Sequence, residues 1–356
     1  MESRGDAMTA GIPQLPTGVR PVVGSHMTRI ELPRAQRELR QAVNLATVAG
    51  LRARHRKPAL PVAPAYPKLF VVGCPRSGTS WVQSVLSAHP SVVTSSESHA
   101  YENIYDPVTR RGRTSVSGWT KVLHRHDLGE REARWVGLHW WVNRATLCRL
   151  IEWAFSADGV SAADAAETVI EAVFDSYFLE HGGDEHQTLL EKTPGHLSYA
   201  AQILARFPEA RMVEVLRDGR DVCVSMQMQA LTMSWPPKDR RDQIAAWVQA
   251  VRKGIALRSD PAVRDRVHLI RYEALKADPE VEIARLFEFA GLEADRGSVA
   301  AVADRSDFRH QPSTGDGRHT RRGEVGDWRN HFDADDEALF RQLAGDVFEA
   351  AGYHFT

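Results

Sequence analysis

VVGCPRSGTSWVQSVL, residues Val71 to Leu86, begins as an apolar strand, turns through two glycines and leaves as a helix with Trp81 and Val85 one turn apart. Gly73 and Gly78 have the spacing of the phosphate-cradling loop G-x-x-x-x-G-K-[ST], but Thr79 stands where that loop has its lysine. Gly73 permits the tight turn after the strand. Gly78 lets backbone N–H groups approach an anion at the N-terminus of the next helix, where the helix dipole favours negative charge. Ser77, Thr79 and Ser80 add hydroxyl donors, and Arg76 adds a planar cationic fork. In nucleoside triphosphate enzymes the lysine reaches the β and γ phosphates beside a magnesium ion. Without it, the loop suits a group of lower charge, and a sulfuryl group carries fewer charges than a phosphoryl group.

Outward from this stretch, the pattern of strand and helix repeats. KLFVV is a short apolar run of the kind a buried parallel strand shows, and SVVTSS reads as the next strand. Later, HLSYAAQILARFP reads as helix, ARMVEVL as a strand stopping at Arg217, and DVCVSMQMQALTM as helix. RVHLIRYEAL adds one more strand and PEVEIARLFEFAGL one more helix. The alternation predicts one α/β domain, P-loop-like, whose central parallel sheet is flanked by helices and binds ligands at the strands' carboxyl ends.

The flanks divide the chain further. Residues 1–33 are rich in Gly, Pro, Ser and Thr and read as a flexible extension; its GSHM, Gly24 to Met27, has the form of a cloning remnant. Residues 34–66 hold one helix, with Leu39, Val43, Ala46 and Leu51 at helical spacing, and a proline-rich linker, and residues 67–356 form the domain. The segment RHQPSTGDGRHTRRGEVGDW is poor in apolar residues and reads as a long loop, which in a compact domain is either functional or disordered.

Composition narrows the function. The 356 residues carry 45 Lys and Arg against 46 Asp and Glu, so no global field points to nucleic acid or an anionic membrane. No run of about 18 apolar residues predicts a membrane span. The three cysteines, Cys74, Cys148 and Cys223, lack metal-ligand or C-x-x-C spacing, which points to free thiols and a cytoplasmic setting. The loop alone admits other readings, a kinase-like enzyme with a degenerate phosphate loop or a non-catalytic nucleotide-binding protein.

Two further segments bear on that choice. VLRDGRDVCVSM puts Arg217 at a strand end and Ser225 on the following helix, and RRGEVGDWRNHF puts Arg321, Arg322 and Gly323 before an aromatic anchor. In this order the three segments resemble those of sulfotransferases that use 3′-phosphoadenosine 5′-phosphosulfate (PAPS), with a resemblance running from Lys68 to about Phe332. The resemblance implies PAPS as co-substrate, 3′,5′-adenosine bisphosphate (PAP) as product, and no metal. It implies that Arg76, Ser77, Gly78, Thr79 and Ser80 hold the 5′-phosphosulfate and that Trp81 lies against the adenine. Arg217, Ser225, Arg321, Arg322 and Gly323 then hold the 3′-phosphate, with Tyr272 near the nucleotide.

The same resemblance bears on the chemistry. Sulfuryl transfer to a hydroxyl needs a base for the acceptor's proton and cations for the leaving phosphate. Aryl and steroid members use a histidine, whereas tyrosylprotein and several carbohydrate enzymes use a glutamate shortly after the second strand, a place taken here by Glu97, with His99 and Glu102 as nearby rivals. LLEKTPGHL matches the tyrosylprotein enzymes' lysine, so the resemblance implies that Lys192 stabilises the leaving oxygen; Thr193 and His196 depart from the pattern, and a role for His196 at the acceptor stays open. The acceptor is a hydroxyl of a small molecule, glycan or peptide. Among the aromatics from Tyr101 to Trp153, those of WVGLHWWVNRATLCRLIEWAF have helical spacing and read as core, which leaves Tyr101 and Tyr105 as the ones to touch an acceptor.

Overall fold

The computed structural model describes residues 34–54, 56–132, 136–306 and 323–355. The extension 1–33, Trp135, Arg321 and Arg322 lie outside the described residues. Two compact units are formed, Met1–Arg40 and Gln41–Thr356. Of the first, the start of the helix Arg34–Ala53 is described, with Leu39 exposed. In the second unit the same helix continues, with Val43 and Leu45 exposed and Val48 and Leu51 buried, so only part of the apolar stripe read from the sequence packs inward.

The second unit is built on five parallel strands, β1 (Lys68–Gly73), β2 (Val92–Thr94), β3 (Thr188–Lys192), β4 (Arg211–Leu216) and β5 (Val267–Arg271), in the order β2-β3-β1-β4-β5. The apolar run of β1 is buried because it is central: Val71 pairs with Lys192 of β3 and with Val213 of β4. Strand alternation then sends its side chains to two cores. Leu69 and Val71 pack with Val82, Val85 and Leu86 of the helix Thr79–Ser87 and with Leu286 and Phe287 of the helix Pro279–Ala290. Phe70 and Val72 pack with Val169, Val173 and Phe174 of the helix Ala162–Glu180 and with Ile203. Each such fully buried side chain contributes about 1.5–3 kcal/mol, which is why a run apolar on both faces reads as a central strand. The parallel sheet flanked by helices is the architecture that the alternation predicts.

The chain between β2 and β3 departs from the sequence reading. The continuous helical spacing through WVGLHWWVNRATLCRLIEWAF is interrupted: a short 3-10 turn covers Leu138–Trp140, and the helix Arg144–Ser156 starts afresh. Asn143 forces the restart, since its side-chain oxygen accepts from the Thr146 N–H at 2.9 Å and caps the new helix.

Candidate functional site

Every strand delivers one candidate residue from its carboxyl end. The chain leaving β1 carries Arg76, that leaving β2 carries Glu97, β3 ends at Lys192, and Arg217 and Tyr272 directly follow β4 and β5. Parallel strands bring these five ends to one edge of the sheet, although the residues lie as far apart in sequence as Arg76 and Tyr272.

The loop after β1 is fixed by close packing. A Cβ on Gly73 would lie 2.6 Å from the Val215 carbonyl oxygen, and one on Gly78, whose φ is +101°, would lie 2.5 Å from Tyr272 Cδ2. Only glycine fits there, for conformation and for space. Arg76 also has a positive φ of 74°. Its Nε donates to Ser225 Oγ at 3.1 Å, which joins the loop to the helix Gly219–Ala230. Burial and the neighbouring Arg217 guanidinium both push Arg76 toward its neutral form, with Glu97 opposing them. Two cations held this close leave a place for an anion. Among the described residues Ser77 Oγ and Arg217 Nε are buried without a hydrogen-bond partner, so donors for such an anion remain.

Arg217 lies with its guanidinium carbon 4.2 Å from the Tyr272 ring centre and donates to the Glu324 carbonyl at 3.1 Å. Tyr272 donates through its hydroxyl to the Gly323 carbonyl at 2.8 Å. The carboxylate of Asp221 accepts from the backbone N–H groups of Gly326 and Trp328, both at 2.9 Å. The late segment is thereby latched over Arg217. Trp328 is its buried anchor, with the Arg220 guanidinium carbon 3.8 Å from its ring centre. The latch through Asp221 is not read from the sequence, where Asp221 is one more acidic residue in RDGRD.

Glu97 and Lys192 meet. Lys192 Nζ lies 2.5 Å from Glu97 Oε1 and 3.2 Å from Ser80 Oγ, so it stands between the carboxylate and the anion loop. His99 Nε2 lies 3.1 Å from Glu97 Oε2. Burial works to raise the Glu97 carboxyl, but His99 and Lys192 outweigh it and pull the group down to about 2. Glu97 is ionised at neutral pH.

Trp81, expected at the adenine, is buried with Val82 and Val85 of its helix, its indole N–H donates to the Ser306 carbonyl at 3.1 Å, and its ring centre lies 5.3 Å from that of Tyr272. Three other candidates take other places. His196 is fully buried, with Nδ1 2.8 Å from Glu191 Oε2 and Nε2 3.3 Å from Glu102 Oε2, so it does not reach an acceptor. Glu191 and Glu102 outweigh the effect of burial and raise the His196 imidazole to about 10. Glu102, once a rival to Glu97, is taken up by that pair. Tyr101 is fully buried against Tyr199 and His196, whereas Tyr105 keeps partial exposure.

His126, Asp127 and Glu130 form the one cluster of three metal-type ligands found among the described residues. Its donors have structural partners, His126 Nε2 at 2.8 Å from the Val142 carbonyl and Asp127 at 3.1 Å from Arg144. No described helix is long and apolar enough to cross a membrane.

This chain is similar to known sulfotransferases. Protein-tyrosine sulfotransferase A of Caenorhabditis elegans is 23% identical over 234 residues, which cover 64% of this chain and 51% of that protein. Protein-tyrosine sulfotransferase 2 of Gallus gallus is 24% identical over 230 residues, again 64% of this chain and 51% of the relative. The chain thus spans about half the length of the curated relatives it matches. Among solved structures, the sulfotransferase domain of the Synechococcus PCC 7002 olefin synthase aligns with a TM-score of 0.48 at 19% identity, covering 85% of this chain and 99% of that one. The model of the sulfotransferase family matches residues 67–296, a stretch that holds Arg76, Glu97, Lys192, Arg217 and Tyr272, and the chain belongs to that family.

Proposed function

We propose that this protein transfers a sulfuryl group from PAPS to a hydroxyl by in-line displacement, with Glu97 as base. The contact that carries this reading is Lys192, whose Nζ touches Glu97 Oε1 at 2.5 Å on one side and Ser80 Oγ of the anion loop at 3.2 Å on the other. A base and a cation for the leaving oxygen are thereby side by side at the mouth of an anion cradle. Arg76, Ser77, Gly78, Thr79 and Ser80 hold the 5′-phosphosulfate in this reading. Arg217 and Ser225 hold the 3′-phosphate with Gly323 and the adjoining Arg321 and Arg322, and Tyr272 backs Arg217.

Once the donor is bound, Lys192 turns its charge to the bridging oxygen. Glu97 loses part of the pairing that keeps it acidic and becomes a better proton acceptor. The acceptor oxygen forms its bond to sulfur while the bond from sulfur to the 5′-phosphate oxygen breaks, and that electron pair leaves on PAP. Arg76 and Lys192 stabilise the developing charge. No step needs a metal, because the cradle supplies the opposing charge. The names of the relatives put a tyrosyl hydroxyl first among acceptors, ahead of glycans and small molecules.

Calorimetry tests the donor site: PAP binds without magnesium and much more tightly than ATP, and comparable binding of Mg·ATP overturns the reading in favour of a kinase-like enzyme. Arg217→Ala weakens PAP binding by about 1.5–3 kcal/mol, the range for a hydrogen bond to a charged group. An Arg217→Ala protein with unchanged affinity places the 3′-phosphate elsewhere. Labelled PAPS with a panel of tyrosine peptides, phenols and oligosaccharides identifies the acceptor.

A further inference from the structure

Two residues other than glycine have a positive φ among the described residues, Arg76 and His99, and both are at the site. The backbone of His99 is held in this conformation, φ +49°, from both sides. Its N–H donates to Thr193 Oγ1 at 3.2 Å, and its carbonyl accepts from the Asn103 N–H at 2.8 Å. Such a conformation persists only where the surroundings impose it, and it marks functional positions. Here it points the imidazole between two carboxylates, with Nε2 3.1 Å from Glu97 Oε2 and Nδ1 4.0 Å from Glu102 Oε2.

The surroundings of His99 alternate in charge. Lys192 faces Glu97 from β3, and behind Glu102 lies the buried His196, itself paired with Glu191. Glu191 is fixed by the N–H and hydroxyl of Ser98, at 3.1 and 2.8 Å, and by the Thr193 hydroxyl at 2.6 Å. From the helix Val116–Arg131, Arg125 donates to the Glu102 carbonyl and, at 3.1 Å, to Asn103 Oδ1. Every neighbour of His99 is thus tied down, while its own side chain keeps one third of its surface exposed, at 33%.

We infer that His99 is the proton relay of this site, taking the acceptor's proton from Glu97 and releasing it to solvent. The inference rests on the PAPS-dependent reaction with Glu97 as base. As the acceptor oxygen bonds to sulfur, its proton passes to the Glu97 carboxylate. The protonated Glu97 donates to His99 Nε2, whose lone pair faces Oε2 when the ring carries its other proton on Nδ1, toward Glu102. The imidazolium so formed lies between Glu97 and Glu102, and its exposed edge returns the proton to water. Glu97 is then ionised again for the next turnover. His99 acts through Glu97 and does not touch sulfur.

The test uses the full chain with labelled PAPS and a tyrosine-containing peptide, and compares wild type with His99→Gly, because glycine takes the positive φ without strain. We expect kcat to fall about 10- to 100-fold, within the range for loss of a proton-transfer group. KM for PAPS and the affinity for PAP stay unchanged, which also shows that the variant folds. The wild-type kcat rises with pH through the ionisation that frees Nε2, whereas the variant lacks that limb, and added imidazole restores much of its rate. A variant as fast as wild type, or a slow one with an unchanged pH profile and no response to imidazole, overturns the relay alone. A wild-type protein that moves no label from PAPS to any hydroxyl overturns the underlying reaction as well.

Discussion

Replacing Glu97 by Gln leaves PAP binding unchanged and lowers kcat by about 10²–10⁴-fold, the contribution of a positioned general base. Gln keeps the shape of the side chain and an oxygen that can accept from Lys192, whose Nζ lies 2.5 Å from Glu97 Oε1. What it loses is the ability to take a proton. Single-turnover measurements with labelled PAPS, alongside calorimetry with PAP, separate the two effects. A Glu97→Gln enzyme as fast as wild type moves the base to a histidine, and among the described residues His99 lies within reach.

Replacing Lys192 by Met has a double consequence. The cation beside the leaving oxygen disappears, which lowers kcat by about 10²–10³-fold on the scale of a lost transition-state donor. Glu97 also loses one of the two partners that outweigh burial, so its carboxyl rises from about 2 toward the ordinary carboxylate range. The sign follows from the protonation state: the base works only when ionised, so activity is lost as pH falls through the Glu97 value. In the variant that loss begins at higher pH. Measured in the His99→Gly background, where the limb from the relay is absent, a pH profile of kcat that falls in height but keeps its acid limb in place shows that Lys192 does not set the Glu97 ionisation.

The loop after β1 and four of the five strands, all but β3, are legible in the sequence because their signals are local. A central strand must be apolar on both faces, and a turn with Gly73 and Gly78 in place has few alternatives. Glu97, Lys192, Arg217 and Tyr272 are named in the sequence by the family resemblance, and the structure puts Lys192 at the end of a strand and the other three just beyond one, where such sheets bind ligands. The helix break at Asn143 is hidden, because the cap depends on one side chain turning back on its own backbone.

The sequence by itself determined the parallel sheet and the anion loop without a lysine, because periodicity and glycine spacing act over a few residues, and its resemblance to the family named the candidates at the strand ends. Only the tertiary structure decided which of the candidates act together. Glu97 lies three residues beyond β2, and Lys192 closes β3; they meet because β2 and β3 are paired neighbours, with Thr94 opposite Leu190. The same pairing brings Glu102 to His196, and both into line with Glu97 through His99. Attraction between charges acts across the short distances that folding creates, and those distances are not written in the spacing of the residues.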